Sequence, residues 1–449
     1  MLALAARWPD DFPVFFDSAA NGPLGRWSIL ASFPRQRLCL EPDGRLLGSV
    51  GGDLAGSTSD SGFLHALESA WRAERMEPDA SALPFRGGWV VYLSYEMAAE
   101  VEPGLHLPTL QQGPPRAVAL RVPAALLYEH DTRCCCAVAE AGSSELLEAI
   151  AARVAQLRST AGAAAETGGL IDATHLTEDD PSTFQHAVLA AQRYIRAGDI
   201  YQANLSRRWQ LPVAAPPATR ALYQALRAAN PAPFAAWAQL PRLQLFSSSP
   251  ERLVCVRGSH IETRPIAGTR PRLQDAKREL AALLASSKER AEHVMLIDLE
   301  RSDLGRVCEA GSVAVDEFMV TETYTHVHHI VSSVRGRLRA TVSPVEVLRA
   351  LFPGGTITGC PKYRCMQIIA ELERAPRGAY TGSLGYINRD GSMDFNILIR
   401  SLTLSDGVLE FRAGAGIVAD SDWRHELAET RAKALGMLRA LGAGAKAST

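Results

Sequence analysis

Apolar and polar residues alternate in short runs over the first 150 residues, as in RWSILASF, GGWVVYLSY and RAVALRVPAALLYEH. A period of two with β-branched side chains predicts half-buried strands. The pattern then lengthens. SSELLEAIAARVAQLRS places its apolar positions at helical spacing, and STAGAAAETGG after it has no hydrophobic period at all. That Ala/Gly/Ser/Thr stretch, residues 159–169, predicts a flexible linker. It divides an N-terminal part of the fold, 1–158, from a larger region, 170–449.

Past the linker the helical period returns in THLTEDDPSTFQHAVLAAQRYIRAGD, with Asp180 or Ser182 as cap and Pro181 in the first turn. GDIYQANLSRRWQL turns back into a strand. LQLFSSS, RLVCVRG and HIETRPI, and later GSLGYIN, DFNILIRSLTL and VLEFRAGAGIV, predict strands in consecutive runs. Strands joined by short turns pair antiparallel, and no regular βαβ spacing appears. The pattern therefore predicts an α+β fold rather than a doubly wound sheet.

Composition narrows the classes. With 449 residues, 47% hydrophobic and 21% charged, the chain can bury a large core and is not globally disordered. A net charge of −2 gives no reason to expect nucleic acid or an anionic membrane as partner. The eight cysteines include three in a row, Cys134 to Cys136, and form no paired CxxC ligand set. Reduced thiols in a cytoplasmic protein are expected. The apolar run before Arg7 is too short for a secretory leader, and no run reaches the length of a membrane span.

Several stretches imitate known chemistry. GAGIVA, from Gly414, resembles a dinucleotide fingerprint but leads into DSDWRHE instead of opening a helix. In FPGGTITGCPKYR a proline separates the last glycine from Lys362, so no phosphate loop forms. The segment instead feeds a helix N-terminus with Pro361 near its start. There is no GxSxG elbow and no HExxH zinc pair. In the C-terminal SDWRHELAETRAKALGMLRAL, Glu426, Glu429 and Lys433 share one helix face. Alone, that is a solvated stripe with an ion pair. A second helix, SSKERAEHVMLIDLERSDLGR, carries Glu292 and Asp298; carboxylates from separate helices suit a hard cation such as Mg²⁺. In YTHVHHIVSSV, His326 and His328 face one way and His329 the other, a pattern equally at home in a structural strand.

Taken together these blocks resemble the chorismate-utilising enzymes, which include the aminodeoxychorismate, anthranilate, isochorismate and salicylate synthases. The matching blocks are GDIYQANLS, SSSPERL, TRPIAGTRPR, KERAEHVMLIDLERSDLGRV, VHHIVSSV, FPGGTITGCPK, GSLGYI, ILIRSL, AGAGIVADS and ELAETRAKA, in the family's order. The resemblance implies two facing, mostly antiparallel sheets with helices outside and the active site in the cleft. It implies Mg²⁺ held by Glu292 and Glu429 with Glu426 close by, neutralising the ring carboxylate of chorismate. Gly268 and Thr269 would touch that carboxylate, and Arg400 and Tyr386 would grip the enolpyruvyl carboxylate. Gly414, Gly416 and Lys433 would join that wall. His329, Thr356 and Arg306 match further family positions. Glu251 is similar to the acid that protonates the departing C4 hydroxyl.

Two positions bear on which reaction is run. Family members that use water carry a lysine base where this chain has Gln202, and a glutamine cannot deprotonate water; ammonia needs no such help. Ala267 stands where many aminodeoxychorismate synthases carry a lysine thought to add to the ring, and there it resembles anthranilate synthase. SSSPERL, VHHIVSSV, Thr358 and the compact length resemble the aminodeoxychorismate branch, and FFDSAANG replaces the LLES feedback motif of anthranilate synthases. The expected reaction is amination of chorismate at C4 to 4-amino-4-deoxychorismate, for 4-aminobenzoate and folate, and the alternative is amination at C2. Ammonia would come from a separate glutamine amidotransferase. A tryptophan pocket in the N-terminal half is known in the family and stands as a further expected ligand, with no motif here to carry it.

Overall fold

A computed structural model describes the chain except for residues 21–23, 49–61, 79–80, 160–170, 214–216, 272–286, 324–326 and 444–449. It also leaves aside the side chains of 267–271, 287–289, 323 and 327–329. The proposed linker thus lies almost wholly outside the described residues. Among those described, the strands form two sheets of eleven, and every pairing is antiparallel.

In the first sheet, Gln202–Pro212 lies between Gly359–Cys360 and Val408–Ile417. The order continues through Ser401–Ser405, Leu243–Ser249, Phe234–Leu240, Val14–Asp17, Trp27–Ser32 and Ala124–Glu129 to Cys134–Ala139. In the second, Ile266–Pro271 pairs with Val327–Arg337, then follow His260–Arg264, Arg252–Arg257, Met393–Asn396, Ser383–Asn388, Gly88–Leu93, Ala117–Val122, Gln36–Leu40 and Leu46–Gly48. Strands from both halves of the sequence stand side by side in each sheet.

The core shows why the sheets face one another. Val14, Ile29, Ala31, Ala236 and Leu245 of the first sheet pack with Val90, Tyr92, Val118 and Leu384 of the second in one buried cluster. Each outer face is covered by helices. Phe63, Leu67 and Trp71 of Gly62–Ala73 pack on Leu38, Trp89 and Val91. Leu222, Tyr223 and Leu226 of Thr219–Ala229, with Ala434 and Met437 of Trp423–Ala440, pack on Phe15, Trp237 and Phe246. Alternating burial along a strand thus feeds two layers at once, which explains near-continuous apolar runs such as GWVVYL, buried at all six positions.

Local signals behaved as their chemistry dictates. The helix Pro181–Arg196 starts behind Asp180, whose carboxylate accepts the Ser182 N–H at 2.7 Å, with proline in the first turn. GAGIVA is the end of strand Val408–Ile417, with no helix opening in it. The stretch DFNILIRSLTL, one strand by its pattern, is broken: Met393–Asn396 belongs to the second sheet and Ser401–Ser405 to the first. The intervening Ile397–Arg400 carries the chain across.

Candidate active site

Two such crossings lie against each other. At one, the chain leaves Leu243–Ser249 of the first sheet and enters Arg252–Arg257 of the second through Pro250 and Glu251. At the other, Ile397–Arg400 makes the return. They are tied by backbone: Ile397 N–H donates to Glu251 O at 3.0 Å, and Ser248 N–H donates to Arg400 O at 3.2 Å. Arg400 takes a left-handed φ of 52°, a conformation unusual for a residue with a Cβ, as the crossing turns back into its strand. This fixes an acid and an arginine beside one another.

Glu251 is 4% exposed, and one of its carboxyl oxygens is buried without a partner. Burial pushes its carboxyl up to about 7, against the opposing pull of Thr356, the Ile266 N–H, Lys433 and Arg400. The Thr356 hydroxyl sits beside it and is itself buried without a well-formed hydrogen bond. The Arg400 guanidinium is lowered by burial, partly offset by the Glu251 charge. A carboxylic acid kept protonated near neutrality beside a cationic guanidinium is equipped to give a proton to a poor leaving group.

The wall opposite is the strand pair Gln202–Pro212 and Val408–Ile417. Gln202 is 2% exposed; its Nε2 donates to Glu292 Oε1 at 3.1 Å, and its Oε1 has no partner. Asn204 Oδ1 is likewise buried and unpartnered. Across from them two glycines leave no room for a side chain as the cleft stands, and at Gly414 the facing backbone, Leu205 O at 2.8 Å from a Cβ, makes the glycine obligatory. A Cβ at Gly416 would stand 2.7 Å from Gln202 Nε2 and 3.3 Å from Glu292 Oε1. One at Gly414 would stand 2.5 Å from Asn204 Oδ1 and 2.6 Å from the Tyr380 hydroxyl. From the C-terminal helix, Lys433 Nζ donates to Gly414 O at 3.0 Å and pairs with Glu429 at 2.7 Å.

The predicted metal carboxylates border the same glycines. Glu292 touches the Gly416 position, and Glu429 reaches Gly414 through Lys433; Glu426, one turn earlier on that helix, is 6% exposed. Among the described residues no group of three or more His, Cys, Asp or Glu forms a ready-made metal cage. Oxygen-only donors in small number, leaving room for water and substrate oxygens, nevertheless fit a hard cation such as Mg²⁺.

Some expected residues are brought here by backbone alone. Strand Ile266–Pro271 runs past Glu251 with a register shift between Ala267 and Thr269, and Thr269 stands opposite His329. The side chains of Ala267, Thr269 and His329 lie outside the described set. Two others are not brought here. Tyr386 is in the core between the sheets, edge-on to Phe16 and Phe85 at 5.8 and 5.5 Å. Arg306 is exposed beyond the helix Ser287–Gly305 and donates to Ala350 O.

The sequence reading overlooked Tyr380. Its hydroxyl, not that of Tyr386, meets the Gly414 position, and its phenol is pushed up to about 12, chiefly by burial. Its signal was the AYTG turn before the strand Ser383–Asn388. Also overlooked were Glu300 and Asp303 on the helix Ser287–Gly305, both 6% exposed, with Lys362 paired to Asp303. Glu300 lies under Gly355, whose Cβ would come within 3.3 Å of its Oε1, and burial pushes it up to about 7. Its sign was a glutamate within the apolar positions of LIDLERSDLG.

Comparison with known proteins bears directly on this cleft. The profile of the chorismate binding enzyme family matches residues 44–439. The chain belongs to that family. It is 39% identical to aminodeoxychorismate synthase component 1 of Bacillus subtilis over 84% of this chain and 82% of that protein. It is 41% identical to anthranilate synthase component 1 of Streptomyces coelicolor over 96% of this chain and 84% of that one. The crystal structure of anthranilate synthase component I from Streptococcus pneumoniae superposes with a TM-score of 0.79, at 32% identity over 93% of both chains. The chain is therefore a chorismate-utilising enzyme of mixed α+β fold, and its relatives divide between two aminations at similar identity. Among the described residues no helix is long and apolar enough to cross a membrane.

Proposed function

We propose that this chain is the chorismate-aminating component of an aminodeoxychorismate synthase, replacing the C4 hydroxyl by ammonia. The observation that carries amination is Gln202. Its Nε2 is committed to Glu292, and no base stands at that position to make hydroxide from water. Glu251 gives its proton to the C4 oxygen, the C–O bond breaks and water leaves. The ammonia lone pair forms the C–N bond, and the resulting ammonium returns a proton to the Glu251 carboxylate. With Ala267 in place of a lysine, no covalent adduct runs through that position, and ammonia itself attacks.

Arg400 and Tyr380 would hold one substrate carboxylate by charge-assisted hydrogen bonds. Glu292 and Glu429, with Glu426 close by, would hold Mg²⁺, which supplies charge neutralisation at the other carboxylate when bound. Ammonia would come from a glutamine amidotransferase subunit. We do not extend the proposal to tryptophan. In FFDS, which replaces the feedback motif, the Asp17 carboxylate is already engaged by Arg227 at 2.6 Å and Tyr223 at 3.1 Å.

Ala267 favours a second reading, attack at C2 followed by loss of pyruvate. Product identity separates the two. The purified chain is given chorismate, Mg²⁺ and ammonium, with and without an added aminodeoxychorismate lyase. 4-Aminobenzoate that appears only with the lyase supports C4; anthranilate formed without it overturns C4 in favour of C2.

A further inference from the structure

Among the described residues, four buried polar atoms in the cleft lack a well-formed hydrogen bond: Glu251 Oε1, Thr356 Oγ1, Gln202 Oε1 and Asn204 Oδ1. The first two belong to the acid. The last two have no part in the chemistry described so far. Buried polar groups in folded proteins are nearly always paired, so two orphaned acceptors on one face call for a donor that arrives later.

Their geometry describes that donor. Gln202 and Asn204 are two apart on strand Gln202–Pro212, so their side chains leave the same face about 6.7 Å apart at the backbone. Both meet the glycine pair of the facing strand, Gln202 at Gly416 and Asn204 at Gly414. The orientation of the Gln202 amide is fixed by chemistry. A glutamate carboxylate only accepts, so the end touching Glu292 is the donor Nε2, and the free end is the oxygen. What is missing is therefore an N–H or O–H donor, not an acceptor. A single nitrogen giving two hydrogen bonds of about 2.9 Å at a tetrahedral angle spans acceptors about 4.7 Å apart. Two amide side chains on neighbouring same-face positions, about 6.7 Å apart at the backbone, must bring their oxygens about 2 Å closer for one nitrogen to bridge them.

We propose that Gln202 Oε1 and Asn204 Oδ1 together form the seat of the ammonia nucleophile. Each accepts one N–H, and the lone pair is left free for the ring. Asn204 is a binding residue for ammonia that the motif reading did not assign. The inference rests on the amination reading above, and holds whether the attacked carbon is C4 or C2.

The test is a titration of ammonium at saturating chorismate and Mg²⁺, with product identified by chromatography, for wild type, Asn204→Leu and Asn204→Asp. Leucine keeps the volume and removes the acceptor; aspartate keeps an acceptor oxygen. The expected result is a ten-fold or greater rise in KM for ammonium in Asn204→Leu, with KM for chorismate within two-fold of wild type. In Asn204→Asp the KM for ammonium stays within three-fold of wild type or falls. An unchanged ammonium KM in the leucine variant overturns the seat alone. If Asn204→Leu does not fold, Asn204→Asp decides: a ten-fold rise there overturns the seat, and a retained or lowered value supports it. A wild-type enzyme that forms no aminated product removes the amination reading and this one together. Anthranilate as product revises the carbon attacked and leaves the seat in place.

Discussion

Tyr380, the proposed partner of a substrate carboxylate, and Tyr386 show how little separates a residue facing the cleft from a core residue. They are six apart in one segment, and both are buried. Ser383–Asn388 is fully buried, so both faces of that strand are apolar surroundings, and Tyr386 lies edge-on between Phe16 and Phe85. Tyr380 precedes the strand, where Thr381 takes a left-handed φ of 62° and turns the chain, and its hydroxyl reaches Gly414 instead. Removing each hydroxyl separates the roles. Tyr380→Phe is expected to raise KM for chorismate about ten-fold or more, the loss of a hydrogen bond to a charged group. Tyr386→Phe is expected to leave KM within two-fold. Steady-state kinetics of the two variants checks this, and equal effects would return Tyr386 to the site.

At the scale of elements, the Tyr380 turn is held by a buried charge network. Arg377 lies between the rings of Tyr95 and Tyr380, 4.8 and 5.6 Å from their centroids, and pairs with Glu373 at 2.7 Å. Arg412 pairs with the same glutamate at 3.2 Å, and Arg377 also donates to Asn204 O and Ile357 O. One guanidinium thus ties the helix Lys362–Glu373, the strand of Asn204 and the turn next to Thr356. Two arginines hold the Glu373 carboxyl below its usual range although its side chain is buried. Arg377→Met is expected to cost about 3 kcal/mol, because it breaks a buried pair, and to raise KM for chorismate as Tyr380 loosens. Urea unfolding and kinetics on the same preparation check both. The network was illegible in the sequence because its members come from five separate segments.

What was legible has the same logic in reverse. The antiparallel strands, the Asp180 cap and the carboxylate stripe of the last helix are written in local periods and short spacings. So are the glycines facing Gln202, once the family blocks are aligned. The break at Ile397–Arg400 was not, because ILI continues an apolar run whether a strand stays in its sheet or changes sheets. Burial alone does not distinguish those outcomes. The orphaned oxygen of Asn204 depends on what stands opposite it, and Gly414 lies far away in sequence.

At the scale of the whole molecule, Glu251, the acid of the proposed reaction, sits at the seam of the two sheets, and its burial has a cost in stability. Both crossings that hold Glu251 and Arg400 also join the sheets, so site and fold share the same backbone hydrogen bonds. Burial raises the Glu251 carboxyl from 4.5 to about 7. A carboxyl whose folded pKa is raised binds its proton more tightly folded than unfolded. Its contribution to stability is complete below about 4.5 and is lost as pH rises through about 7. At about 1.4 kcal/mol for each pH unit, the loss is on the order of 3 kcal/mol. Glu251→Gln removes this titration. The variant is therefore expected to resist urea better than wild type at pH 8, with the gap closing as pH falls toward 4.5. The same substitution is expected to lower kcat at least a hundred-fold, since an amide cannot donate the proton that the leaving hydroxyl needs. Urea midpoints at pH 5, 6, 7 and 8, measured beside kcat, test the link. A gap that does not change with pH would mean that Glu251 is not the group titrating in the cleft. A gap that closes while kcat collapses would show that the instability of the seam and the acidity of the site come from the same buried proton.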